Sequence, residues 1–318
     1  MAAAAAPSAG ALLDLAGASL QELAVRVLAT PLAHDKAQLT LAIAAAWQAG
    51  TVPLLPAAGT PLLPVPASPA RPPNVLHVHP TKVKSGSKKH TVHALCHAES
   101  YAIDLTMDLI ARFGFAPATW APAGPDCCAG SAHLPVAFFD AWVRVAGEEA
   151  VHFSRWAARL AELGAAYGDF PAHGSLWESA EDTAHSLAAR LAIVHCVHEG
   201  RGLDVAGALR AKLSAGGDDA SAAILSANLA EEVTHVAEGV RWLTQLAEWG
   251  GLASPVPLFQ ALVRRHFHGA LRPPFAVAER ARAGMDEAWY LPLCAPAAGG
   301  GAPEATAGTV ELTAEDMG

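Results

Sequence analysis

The chain has 318 residues, 52% apolar and only 16% charged, with a net charge of −9. That composition supplies a sizeable core and argues against a disordered chain, while the acidic balance argues against general nucleic-acid binding, which rests on Lys and Arg at phosphate. Five cysteines, an odd number without a C-x-x-C, point away from a disulfide framework or zinc ribbon and toward a reducing compartment.

In chain order, MAAAAAPSAG reads as a flexible tail, followed by two short helices over about 18–29 and 34–49. Prolines then deny helix to 52–76, which is expected to be an extended connector. The stretch HPTKVKSGSKKH at 79–90, with Lys82, Lys84, Lys88 and Lys89, reads as a solvated loop. Four long helical patterns follow. The first covers about 90–113 and the second about 135–163, joined by a loop rich in Pro, Gly and Cys that includes Cys127 and Cys128. The third covers about 178–202, with Gly200 and Gly202 taken as its end, and a shorter helix is expected over 204–214. The fourth covers about 219–249. Short helices near 257–270 and 276–288 flank the turn RPPF, and the tail from 295 reads as disordered.

The expected fold is all-α, a ferritin-like four-helix bundle with additional N- and C-terminal helices. Residues 1–89 would pack on the bundle, 90–290 would form it, and 291–318 would be the tail. No run of 18 apolar residues escapes interruption, which argues against a membrane span. The first 25 residues lack Lys and Arg and contain Asp14 and Glu22, unlike a secretory or transit signal. A soluble, cytoplasmic protein is expected.

The pattern E-E-x-x-H occurs twice, in GEEAVHF and AEEVTHV. Residues three apart on a helix lie on one face. Glu149 with His152, and Glu232 with His235, can therefore each present a carboxylate and an imidazole to one metal ion. Glu148 and Glu231 precede the two motif glutamates, and Glu148, four before His152, also shares its face. Two such pairs are weak evidence alone. The other two long helices add weight, because each carries one glutamate in an apolar run: Glu99 in HALCHAESYAIDL and Glu199 in RLAIVHCVHEGRGLD. A carboxylate on a core face is costly unless something neutralises it. Four helices thus contribute in turn Glu99, Glu149 and His152, Glu199, and Glu232 and His235, the two-fold pattern by which bundles bind two metal ions. Four carboxylates balance two divalent cations, and this donor set suits iron or manganese. The lone histidines His97, His173 and His198 read as hydrogen-bonded structure. Tyr101, Phe153, Trp177 and Trp242 read as core.

The arrangement resembles the ferritin-like di-iron carboxylate superfamily. More narrowly, HALCHAESYAIDL, VAGEEAVHF, YGDFPAHGSLW, EGRGLD and EEVTHVAEGVRW are similar to a ferritin-like family of unknown function, grouped loosely with the tRNA isopentenyl-adenosine hydroxylase. The resemblance implies that Glu149 and Glu232 bridge two iron ions, that His152 and His235 bind one each, and that Glu99 and Glu199 are terminal ligands. It also implies an acid directly before each E-x-x-H, here Glu148 and Glu231, supporting a ligand histidine. Asp104 and Asp204, each five residues after a lone glutamate, are rival supporting residues.

The function so implied is an oxidase or hydroxylase acting on an unknown small substrate with molecular oxygen and an external electron donor. A tRNA substrate has only the 79–90 stretch in its favour. The alternatives are ferroxidase- or peroxidase-like iron handling and a non-catalytic, metal-stabilised scaffold.

Overall fold

A computed structural model describes residues 13–72, 74–83, 86–124 and 131–294. The expected N- and C-terminal tails, Lys84, and Cys127 with Cys128 lie outside the described residues. Every helix or strand assigned among the described residues is helical, and the only β-type pairings are two isolated bridges, His77–Ala172 and Leu271–Cys294. The fold is all-α. No helix among the described residues is long and apolar enough to cross a membrane.

The chain divides into two compact units. One comprises Met1–His77, Lys88–Ala116 and Ala132–Ala172, and the other Val78–Ser87, Pro117–Ser131 and His173–Gly318.

The first unit contains α1 (Leu20–Ala29), α2 (Ala33–Gln48), α3 (Lys88–Phe113) and α4 (Val136–Glu162). Ser19 opens α1 with a capping box: its hydroxyl accepts from the Glu22 N–H, and the Glu22 carboxylate accepts from the Ser19 N–H. Helices α3 and α4 run antiparallel. Gly114, just past the end of α3, lies against Phe139 at the start of α4, while Lys89 at the start of α3 donates to the Gly164 carbonyl beyond the end of α4. Helix α1 packs on α3, and α2 on α4. The fully buried Phe113, Phe138, Trp142, Phe153 and Trp156 fill the unit's core.

The proline-rich connector meets its backbone needs through helix side chains. Gln21 both donates to the Leu63 carbonyl and accepts from the Leu63 N–H, and Arg112 donates to the Pro66 carbonyl. Ala70 donates to the Leu28 carbonyl.

The second unit contains α5 (Ser175–Asp182), α6 (Leu187–Arg190), a π-helical segment (Leu191–His198), α7 (Glu199–Ala215), α8 (Asp219–Trp249), α9 (Val256–His266), α10 (Val277–Arg282) and α11 (Glu287–Tyr290). This corrects the helices expected over 178–202 and 204–214. The break falls earlier, where the buried Arg190 guanidinium donates to the Ala180 carbonyl and Thr183 hydroxyl, closing α5. Ser186 then caps a new helix by accepting from the Ala189 N–H. From Leu187 the helical path continues to Ala215 straight through Gly200 and Gly202. After the turn at Gly217, whose φ of +69° lies in the left-handed region, Asp218 caps α8.

Helix α8 packs against both α7 and the π segment. A methyl group on Gly239 would stand 2.5 Å from the His195 carbonyl oxygen and 3.1 Å from Cys196 Sγ. Glycine is therefore what allows α8 to lie directly on the π segment, and this contact sets the register of the pair.

Candidate metal centre

In the first unit, α3 supplies Glu99 and α4 supplies Glu149 and His152. His152 Nδ1 stands 3.4 Å from a Glu149 carboxylate oxygen and 3.9 Å from one of Glu99. One ligand atom from each of the three lies within 4.8 Å of the others. His152 and Glu149 are buried, and the Glu99 side chain is 13% exposed. Trp156, seven residues after Glu149 and so on the same helix face, donates its indole N–H to Glu99 at 3.2 Å.

Two carboxylates and an imidazole converging inside a helical pair make a group that could hold a metal ion. Their oxygen and nitrogen donors are the kind that hard and borderline divalent cations accept.

The second unit repeats the motif. On α8, His235 Nδ1 stands 3.3 Å from a Glu232 carboxylate oxygen, with the imidazole buried and the carboxylate 19% exposed. In both units Nδ1 is the ring nitrogen turned to the carboxylate. Helices α7 and α8 are antiparallel across a tight turn, so residue numbers rise on one as they fall on the other. The Gly239–His195 contact therefore brings Glu199, four residues after His195, level with His235, four residues before Gly239. Glu199 is half-buried and directly follows the π segment. Extra-residue turns of this type recur at functional sites because they rotate the side chains that follow.

Of the four acids expected to support the histidines, Glu148, Asp104 and Asp204 are each ion-paired to a cation. Glu148 accepts from Arg144 at 2.8 Å across one helical turn, at the unit's partly exposed face. Glu231 is half-buried. Asp104 and Asp204 do not meet the ligand histidines. Five helical positions turn a side chain roughly 140° away from the glutamate's face, and both aspartates are ion-paired there. Asp104 is held by Lys36 at 2.5 Å and by Arg71. Asp204 is held by Arg280 at 2.7 Å. Sequence reading missed Arg71, Lys36 and Arg280, which lie far from the motifs in the chain and carry no local signal. Trp156 had one, its spacing from Glu149.

The other tempting histidines hydrogen-bond to neighbours. His93 accepts the Gly168 N–H at 3.0 Å, and burial pulls it down to about 4. His198 lies 2.9 Å from the Ser179 hydroxyl, and burial, helped by Arg201, pulls it down to about 3. His97 pairs with Tyr167 and His173 with Ser175. Burial pushes the Cys96 and Cys196 thiols up, so both stay neutral and unreactive.

Residues 29–291 match the model of the family described as Protein of unknown function (DUF455). The chain belongs to the DUF455 family. A protein of Haemophilus influenzae titled "Uncharacterized protein" is 40% identical to it over 162 residues, which is 51% of this chain and 52% of that protein. The match thus spans about half of each. No solved structure matches this DUF455 chain.

Proposed function

We propose that this DUF455 protein is a ferritin-like dimetal carboxylate protein whose two half-sites form one centre. In that proposed centre Glu232, His235 and Glu199 would join Glu99, Glu149 and His152. The observation that carries the reading is the convergence of Glu99, Glu149 and His152 in a helix pair, with the same carboxylate-to-Nδ1 geometry repeated at Glu232 and His235.

The donor set fits a pair of divalent ions, iron or manganese. Four carboxylates neutralise two such ions, and neutral imidazoles complete them. Glu99, Glu149, Glu199 and Glu232 would hold the ions through carboxylate oxygens, and His152 and His235 through imidazole nitrogen. Bound as a ferrous pair, the ions would supply two of the four electrons that reduce molecular oxygen, the substrate C–H bond giving up the other two as it is oxidised.

The chain's own contribution is placement. The Trp156 indole N–H fixes one oxygen of Glu99. The Gly239 contact holds the Glu199 helix against the His235 helix. The electrons would come from an external donor. The substrate is a small molecule.

The test is metal analysis of the purified protein, then anaerobic loading with ferrous iron and exposure to oxygen. The reading expects two ions per chain, loss of at least one in Glu232→Ala, and catalytic oxygen uptake with an electron donor. Two ions retained in Glu232→Ala would remove α8 from the site. Oxidation of many irons per chain would point to iron handling, and a single unproductive oxidation to a scaffold.

A further inference from the structure

The segments bearing the two lone glutamates share a pattern that the metal reading does not use. Cys96-x-x-Glu99-x-x-x-x-Asp104 matches Cys196-x-x-Glu199-x-x-x-x-Asp204. In each the aspartate points away from the glutamate's face and is buried, at 0% and 8% exposure. In each an arginine from outside the helix clamps it.

Arg71, from the proline-rich connector, donates to the Ser100 hydroxyl at 2.7 Å and to Asp104. Arg280, from α10, grips Asp204 with two parallel bonds of 2.8 and 2.7 Å. Its guanidinium lies 3.0–3.2 Å from where a Gly200 methyl would stand. Ser100 and Gly200 are the residues directly after Glu99 and Glu199, so each arginine touches the helix at the same two places, one and five residues beyond the glutamate. Each guanidinium is also backed by aromatic rings. Arg71 stacks 3.6 Å over Tyr101, and Arg280 lies 4.7 Å from Tyr290 and 5.4 Å from Phe275.

We infer that Arg71 and Arg280 are equivalent positioning residues, which lock the rotation of the helices carrying Glu99 and Glu199 and so hold these carboxylates in coordinating position. The inference rests on the metal reading above and deepens it.

Lever arms show why rotation matters. A glutamate carboxylate sits roughly 6 Å from its helix axis, so a 20° turn of the helix sweeps it about 2 Å. Metal–oxygen bonds tolerate about 0.2 Å. The helix bearing Glu199 needs such a lock, because a π segment precedes that residue and glycines stand at 200 and 202. A methyl at Gly200 would also press on the Arg280 clamp, which would have to give by a few tenths of an ångström.

The experiment uses the full chain and cobalt(II) as the metal probe. Binding affinity and the visible d–d spectrum are measured for wild type, Arg71→Gln, Arg280→Gln, and the charge-conserving Arg71→Lys and Arg280→Lys, together with the melting temperature of each apo protein. Each Gln variant is expected to weaken one of two cobalt positions about tenfold or more and to shift the spectrum, with the Lys variant recovering part of both. Melting temperature alone would respond to a merely structural ion pair, whereas the spectrum and affinity measured well below melting would not. Wild type that takes up two cobalt ions, with variants unchanged in affinity and spectrum, overturns the inference and leaves the metal reading standing. If a Gln variant fails to fold, an unchanged Lys variant overturns it equally. Wild type that binds no cobalt removes both.

Discussion

Replacing Gly239 by alanine tests how tightly the register of the second unit is set. The new methyl would meet the His195 carbonyl oxygen at 2.5 Å and its carbon at 2.9 Å, where ordinary contact begins at 3.4 Å. Both obstacles are backbone, so no rotamer relieves them, and α8 must move about 0.9 Å off the π segment. Overpacking of this kind costs about 1–3 kcal/mol, here at the upper end because backbone cannot yield locally. Alanine's better helix propensity gives back about 1 kcal/mol, for a net loss of about 2 kcal/mol. Gly207→Ala is the matched control. Gly207 lies within α7 with nothing within 4 Å of the added methyl, so propensity acts alone and stability rises by about 0.5–1 kcal/mol. At roughly 2–4 °C per kcal/mol, thermal denaturation followed by circular dichroism should show Gly239→Ala melting about 4–8 °C below wild type and Gly207→Ala slightly above it. A Gly239→Ala protein that melts as high as Gly207→Ala would refute the tight crossing and the register drawn from it.

Three further outcomes follow from buried charges. Arg280→Met leaves Asp204 buried without its cation and should cost about 3–5 kcal/mol in urea denaturation, much of it recovered in the Arg280→Met/Asp204→Leu double variant; an additive double variant would deny the pairing. Burial pulls Lys36 from 10.5 down to about 8 despite the opposing pull of Asp104. Between those values the unfolded chain binds more protons, so wild-type stability relative to Lys36→Met should rise with pH from about 8 to 10.5, by on the order of 3 kcal/mol. A flat or falling difference across that window would show that Lys36 is not buried as a cation. Chelation should lower the melting temperature at neutral pH, because Glu99 and Glu149 then face each other without a counter-ion; equal melting of apo and loaded protein would argue against a buried site.

Much of the fold was legible in the sequence where local signals are strong. Helices α3, α4 and α8 fall within about two residues of their expected ends, because long apolar periodicity, a closing glycine and, for α8, an aspartate cap act over a few neighbours. The pairing of Glu149 with His152 and of Glu232 with His235 was equally legible, since three-residue spacing on a helix is itself a statement about geometry. Helix α7 shows the limit of such signals. Gly200 and Gly202 read as an end but lie inside the helix, and an arginine 80 residues away stands 3.0–3.2 Å from where a Gly200 methyl would be. Nothing in LAIVHCVH announces a π segment.

By itself, then, the sequence determined which residues share a helix face and therefore which acid and imidazole stand together within one helix. Tertiary structure alone decided which helix lies against which, that Trp156 holds Glu99, and that Asp104 and Asp204 serve arginines and a lysine rather than histidines. The physical reason is range. Helical periodicity and capping act over a turn or two, whereas a buried aspartate's partner is whichever cation folding delivers to it, and here those cations come from 33, 68 and 76 residues away.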